Sequence, residues 1–256
     1  MKQALQVVQP LPSFDPSWAM FLDVDGTLLE FAQRPDEIQP RPDLVRILDA
    51  LRRSVPVALV SGRPLVDLDR IFTPLRLPAA GQHGAERRGA DGRVHVPPIS
   101  GENLDSVRQK LNAWMDLRPG VVLEDKGLSL ALHYRRAPHR GEEAVRVLED
   151  VAEGLGGAFM VRSGKMVAEL RPSGYDKGRA IEAFMAEPPF AGRVPVFAGD
   201  DATDEEGFAA VNRLSGHSVK VGDGSTAARC RLEDVEQVLE WLGRCARSGT
   251  VEPRGG

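Results

Sequence analysis

Trp18-Ala19-Met20-Phe21-Leu22, followed at once by Asp23-Val24-Asp25-Gly26-Thr27, is a run of apolar residues that stops at a loop of carboxylates. A short continuous apolar run bounded by such a loop reads as a strand buried on both faces, which belongs in a parallel sheet covered by helices. The same shape recurs downstream. Val55–Val60 stops at Ser61-Gly62, Val194–Ala198 stops at Gly199-Asp200-Asp201, and Ser218–Val221 reads as one more short strand. Helical periods separate them: Leu44, Ile47, Leu48 and Leu51 behind Pro42-Asp43, then Leu65, Leu68, Ile71 and Phe72, then Ala180–Met185, and finally Val235–Leu242. Strands apolar on both faces alternating with helices predict an α/β fold, a Rossmann-like parallel sheet core.

The middle of the chain breaks this alternation. Leu104, Val107, Leu111 and Trp114 mark a helix, after which Val121–Glu124 and Leu128–Tyr134 flank a turn at Asp125-Lys126-Gly127. A second helix near Glu143–Ala152 follows, then Ala158–Arg162 and Lys165–Leu170 around Ser163-Gly164, a two-residue hairpin signal. Helix, hairpin, helix, hairpin is an α+β pattern. It predicts an inserted cap domain over residues 90–172, with the sheet core formed by 1–89 and 173–256.

Composition narrows the setting. Apolar residues make up 42% and charged residues 27% of the 256, the balance of a globular protein able to bury a core. Subtracting 37 acidic from 33 basic side chains gives −4, which argues against nucleic acid as a partner. No uncharged apolar run approaches the roughly 20 residues that cross a bilayer. The N-terminal MKQALQVVQPLPSFDPSW lacks the apolar stretch of a signal peptide. Cys230 and Cys245 are the only cysteines, too few for a disulfide framework or a thiolate metal site. A cytoplasmic protein is expected, with no membrane partner. No heptad pattern is evident, so a monomer is expected, and the last ten residues, rich in glycine and charge, are expected to be disordered.

In open parallel sheets, ligands collect beyond the carboxyl ends of the strands. Asp23 and Asp25, Ser61, and Asp200, Asp201 and Asp204 all stand at such ends, and Lys177 stands at the start of a helix. Carboxylates gathered at one place repel unless a cation is present. An all-oxygen donor set favours Mg²⁺, an ion that often also binds a substrate phosphate. Phosphoryl chemistry is the expectation.

Asp23-Val24-Asp25-Gly26-Thr27-Leu28, Ser61, Lys177 and Gly199-Asp200-Asp201-x-x-Asp204, in that order, resemble the four motifs of the haloacid-dehalogenase-like (HAD) phosphatases. The resemblance implies that Asp23 is a nucleophile forming an aspartyl-phosphate. It implies that Asp25 is the acid that protonates the leaving alkoxide and then the base for water, and that its neighbours keep it protonated for that task. Ser61 would bind a phosphate oxygen, and Lys177 would spread positive charge over the phosphoryl group and Asp23. Mg²⁺ would be held by Asp23, the Asp25 carbonyl and Asp200. Asp201 would act through water, Asp204 would orient Lys177, and Gly26 and Thr27 would support the loop. Aspartate at position 25, where a dehalogenase carries an apolar residue, favours phosphatase chemistry.

Further strings, Gly81-Gln82-His83-Gly84-Ala85-Glu86, Glu124-Asp125-Lys126, His133-Tyr134-Arg135, Gly164-Lys165-x-x-x-Glu169-x-Arg171-Pro172 and Gly199-Asp200-Asp201-Ala202-Thr203-Asp204-Glu205, are similar to those of the trehalose-phosphatase family. Gln82 departs from the pattern, since many members carry an apolar residue there. The likeness implies a sugar-phosphate substrate, trehalose 6-phosphate. Glu124, Lys126, Lys165 and Glu169 of the cap would bind it, with His83 and Glu86 at the domain interface. Carboxylates and ammonium groups suit a disaccharide, whose hydroxyls both donate and accept. The residues alone leave plainer readings open. Glu124-x-Lys126 also fits a solvated hairpin turn, Lys165 and Glu169 the solvated positions of a half-buried strand, and His83 a core histidine satisfied by backbone. His133 reads as structural, and His95, His139 and His217 carry no signal. Gly164-Lys165 is not a phosphate-binding loop, because Phe159 stands where such a loop needs glycine. Phosphatases for sucrose, mannosylglycerate or glucosylglycerate phosphates, a phosphotransferase, and a non-catalytic sugar-phosphate sensor are the alternative functions.

Overall fold

The computed structural model describes residues 9–30, 40–98 and 101–249. The expectations for the N-terminal leader and the last ten residues fall largely on positions 1–8 and 250–256, outside the described residues. The last helix does run on to Gly249.

The chain divides into two compact units, 1–95 with 176–256, and Val96–Tyr175. The first contains β1 (Trp18–Leu22), α1 (Pro42–Ser54), β2 (Val57–Val60), α2 (Leu65–Ile71), β3 (Ala79–Gly81), β4 (Glu86–Arg88) and β5 (Val94–His95). The second contains α3 (Gly101–Met115), β6 (Val122–Asp125), β7 (Leu130–His133), α4 (Gly141–Gly154), β8 (Phe159–Gly164) and β9 (Val167–Pro172). The chain then returns to the first unit with α5 (Lys177–Met185), β10 (Val194–Gly199), α6 (Glu205–Arg213), β11 (His217–Val221), β12 (Cys230–Leu232) and α7 (Val235–Gly249).

The large unit is an eight-stranded sheet of order β12-β11-β10-β1-β2-β3-β4-β5. It is parallel from β12 to β3, and β4 and β5 extend it antiparallel. All five residues of β1 are buried, because successive side chains feed opposite layers. Trp18, Met20 and Leu22 join Leu44 and Leu48 of α1 and Val238 and Leu242 of α7 on one side. Ala19 and Phe21 join Ile181 and Phe184 of α5 and Phe208 of α6 on the other. Phe21 lies 5.8 Å from Phe184 and 5.5 Å from Phe190, ring centre to ring centre. Each such side chain contributes about 1.5–3 kcal/mol when fully buried.

The smaller unit is a four-stranded antiparallel sheet, β6-β7-β9-β8. Its two faces differ. Leu130, Leu132, Ala168, Leu170 and Phe159 pack with Leu104, Val107 and Leu111 of α3 and Leu148 and Val151 of α4. The alternate positions of the same strands carry Glu124, His133, Glu169 and Arg171.

Three features differ from the expectations. The division falls at 95/96 and 175/176 instead of 89/90 and 172/173, because Val94–His95 pairs with Arg87–Arg88 as the edge of the large sheet. The turn between β8 and β9 is Lys165-Met166, with Met166 at φ +61°, and Ser163-Gly164 completes β8. A turn at 163–164 would set Gly156 and Gly157, both at positive φ, opposite Leu170 and Arg171. The register found covers every residue of β9. Asp125 belongs to β6, and the link to β7 is Lys126–Ser129, closed by the Lys126 N–H to the Ser129 carbonyl at 3.0 Å.

Candidate active site

β10, β1 and β2 are neighbours and parallel, so residues just past their carboxyl ends share one rim of the sheet. There stand Asp200, Asp23 and Ser61. Lys177 opens α5, whose preceding residue Asp176 accepts the Arg179 N–H at 2.8 Å and so caps the helix. The Lys177 ammonium, 2% exposed, donates to Asp23 Oδ1 and to Asp204 Oδ1, both at 2.7 Å. Asp204 Oδ2 accepts the N–H groups of Asp200 at 2.9 Å and Asp201 at 3.0 Å. The Thr27 hydroxyl lies 3.4 Å from both Asp23 Oδ2 and Asp200 Oδ1. Close packing fixes the loop: Gly26 has φ +81°, and a Cβ there would lie 2.3 Å from Asp200 Oδ2. Only glycine fits that place.

The charges are strained. Burial, then Asp204, push the Asp23 carboxyl well above its ordinary range against the pull of Lys177. Burial, then Asp204 and Asp201, push Asp200 up to about 6. Burial also raises Asp204, against the pull of Lys177. Burial works against the Lys177 charge, but Asp204, Asp23 and Asp201 outweigh it and raise its pKa. Asp201, although burial opposes its charge, is lowered by Lys177 and by its Thr203 hydrogen bonds. Asp23, Asp200, Asp201 and Asp204 gather four carboxyl groups about the Lys177 ammonium, an excess of negative charge that a divalent cation would offset.

Oxygens of Asp23, Asp200 and Asp204 come within 4.8 Å of one another, close enough to share an ion. Asp204, however, has both oxygens committed, one to Lys177 and one to backbone. Asp23 Oδ2 and the Asp200 carboxylate are the better donors, and Asp204 is better placed to orient Lys177. Asp201 accepts the Thr203 N–H and hydroxyl, both at 2.7 Å, and caps the short turn into α6.

Asp25 meets the Arg63 guanidinium in a two-point fork, Nε to Oδ2 at 2.6 Å and Nη2 to Oδ1 at 2.7 Å. The Arg63 N–H donates to Ser61 Oγ at 3.1 Å, so one residue joins two of the expected site groups. The sequence reading passed over Arg63. Its signal was a basic residue two places beyond Ser61, in the loop that leaves β2.

His83 has φ +57°, and its N–H donates to the Ser61 carbonyl at 2.9 Å. Its ring lies against Gly62, where a Cβ would be 2.8 Å away. Glu86 Oε1 accepts from the Leu65 N–H at 2.9 Å and from the buried Gln82 at 3.0 Å. Gln82 therefore replaces an apolar residue with a donor that finds a partner.

In the smaller unit, Lys126 donates to Glu169 Oε1 at 2.9 Å, and the Ser129 hydroxyl reaches the same oxygen at 3.2 Å. Glu169 is buried, so the reading of it as a solvated strand position does not hold. Glu124 Oε2 meets His133 Nε2 at 2.7 Å. Burial opposes the Glu124 charge, but His133 and Lys126 lower its pKa overall. Lys165 stands apart in the β8–β9 turn. Ser129 and the pairing role of His133 were not foreseen.

Carboxylates and a lysine gathered past adjoining parallel strands, with an inserted α+β unit, place the fold among the HAD hydrolases. Residues 21–236 match the family model described as trehalose-phosphatase. The chain belongs to that family. It is 42% identical over 233 residues to the trehalose-6-phosphate phosphatase of Escherichia coli (strain K12), covering 90% of this chain and 87% of that protein. It is 44% identical over 208 residues to a probable trehalose-phosphate phosphatase of Sinorhizobium fredii, covering 80% and 78%. A crystal structure of a trehalose-6-phosphate phosphatase related protein superposes with TM-score 0.78 at 28% identity, covering 90% of this chain and 98% of that one. Among the described residues, no helix is long and apolar enough to cross a membrane.

Proposed function

We propose that this chain hydrolyses trehalose 6-phosphate to trehalose and inorganic phosphate, with Mg²⁺ and through an aspartyl-phosphate on Asp23. The observation that carries the mechanism is the unequal state of the two Asp23 oxygens. Oδ1 is taken by Lys177, and Oδ2 lies 3.4 Å from the Thr27 hydroxyl, on the side open to a cation shared with Asp200. The Asp23 carboxylate is the nucleophile. It bonds to phosphorus as the ester P–O bond breaks, and Asp25 gives a proton to the departing sugar oxygen. Asp25 then takes a proton from water, whose oxygen attacks phosphorus and frees phosphate and the Asp23 carboxylate. The Arg63 fork has to open for Asp25 to reach the ester oxygen. Asp23 through Oδ2, Asp200 and the Asp25 carbonyl would hold Mg²⁺, which would supply positive charge against the phosphoryl oxygens. Lys177 does the same from the opposite oxygen, and Ser61 binds a phosphoryl oxygen.

Residues 96–175 act as a cap that selects the sugar. Glu124, held by His133, and Lys126 and Glu169, paired with each other, present acceptors and a donor, which rejects sugars that leave them unpaired. Lys165, His83 and Glu86 complete the proposed substrate set. We place the protein in the cytoplasm on its two free buried cysteines, Cys230 and Cys245, and read it as a monomer acting without nucleic acid or membrane.

Phosphate release from trehalose 6-phosphate, beside sucrose and glucosylglycerate phosphates, is the test. Equal rates on all would overturn the substrate assignment, and full activity in chelator would overturn the metal. Elution at twice the chain mass would overturn the monomer.

A further inference from the structure

Asp200 is held at three points by three separate elements. Asp204 takes its N–H at 2.9 Å, the Thr27 hydroxyl lies 3.4 Å from its Oδ1, and the ammonium of Lys220 donates to its carbonyl. Lys220 stands in β11 directly beside Gly199 of β10. Its ammonium also donates to the carbonyl of Val221 at 2.9 Å. The residue is 5% exposed, and among the described residues no ion pair joins it to a carboxylate.

An ammonium buried on neutral carbonyls is costly, and an apolar side chain would fill the same place in the sheet more cheaply. Val219 and Val221, its neighbours in β11, are fully apolar. Stability therefore does not account for Lys220. Position does. Its two acceptors are the last carbonyl of β11 and the carbonyl of Asp200, so it ties the Asp200 peptide to the neighbouring strand. Asp200 has little freedom to lose. Gly26 closes on its Oδ2 from one side, and Gly199, where a Cβ would lie 2.3 Å from Asp204 Cγ, closes the turn behind it.

We propose that Lys220 is a positioning residue of the cation site, fixing the Asp200 peptide so that its carboxylate stays opposed to Asp23 for Mg²⁺. The inference rests on the metal-dependent reading above. Outer groups that orient metal ligands are worth about 10–100-fold in metal affinity.

The test is calorimetric titration of Mg²⁺ into chelator-stripped protein without substrate, for the parent and for Lys220→Met. The expected result is about 10–100-fold weaker Mg²⁺ binding in the variant, with turnover restored by raising Mg²⁺ and an unchanged KM for the sugar phosphate. A Lys220 that served only the fold would lower the urea midpoint and leave Mg²⁺ affinity at the parent value, and that result overturns the proposal. Absence of Mg²⁺ binding by the parent overturns the metal reading as well, so the two failures are distinct. Should Lys220→Met not fold, Lys220→Gln, which keeps a donor, takes its place in the same titration. Failure of both to fold would make Lys220 a folding element and overturn the proposal.

Discussion

The two sheets place ionisable groups in opposite ways. The large sheet is buried on both faces, and its chemistry stands past the ends of β10, β1 and β2, where Asp23 and Asp200 are raised and held against their charge. The small sheet has one apolar face and one polar face, and there Glu124 is lowered, paired with His133 near Lys126. Under the proposed function, the groups that react are kept in an uncomfortable state, and the groups that recognise the sugar are already paired before a ligand arrives. The first arrangement favours rate and the second favours selection.

The sharpest way to break that contrast is Asp23→Asn. The variant should lose about four orders of magnitude or more in kcat while its circular dichroism spectrum and Tm stay at or above the parent's, since it removes a strained charge. Substantial residual turnover would reject the covalent mechanism. Lys177→Met leaves Asp23 and Asp204 buried without their shared cation, and urea unfolding should record a loss of about 3–5 kcal/mol. A change near zero would show that the ammonium is not needed to balance them. In the small sheet, Glu169→Gln should raise KM about tenfold, equal to about 1.4 kcal/mol, and leave kcat near the parent value. An equal fall in kcat would erase the distinction between reacting and recognising groups.

The smallest effect is in pH. Burial, with Asp204 and Asp201, pushes the Asp200 carboxyl up to about 6 in the folded protein, above its ordinary 3.8. Between those values the folded state binds more protons than the unfolded one, so this group's contribution to stability falls as pH rises through the window. Metal-free Asp200→Asn should therefore gain in Tm over the metal-free parent as pH rises from about 4 to about 6, and saturating Mg²⁺ should narrow the gap. Glu124 has the opposite sign: its contribution is present above its ordinary range and lost as pH falls through the lowered value. A gap that stays constant with pH would show that Asp200 is not held against its charge.

Much of this was legible because chemistry and strand ends coincide. The runs ending at Asp23 and Asp200 identified both the parallel sheet and its carboxylates, since few patterns other than a doubly covered strand stop an apolar run so abruptly. What escaped was carried by weaker local signals. Ala79–Gly81 and Cys230–Leu232 are strands only because neighbours pair with them. Gly164 signalled a turn, but Met166 takes the positive φ because the paired length of β9 fixes the register. Arg63 and Lys220 act through side-chain reach, which spacing does not record. Lys220 did leave a trace, a lysine within the strand Ser218-Val219-Lys220-Val221.

The pairing of β1 with β10 has a consequence for how the molecule comes into being. As the chain is synthesised, β1 can join β2 early, but its other edge waits for Val194–Gly199. The intervening residues 96–175 form a compact unit of their own and can close during that wait. Asp23 consequently spends much of the chain's early life beside an unfilled slot in the sheet, and the carboxylate loop acquires Asp200 and Asp204 only near the end. A compact inserted unit can therefore be in place before the carboxylate cluster is assembled, and a chain arrested before Val194 would have the small sheet without the full set of Asp23, Asp200 and Asp204.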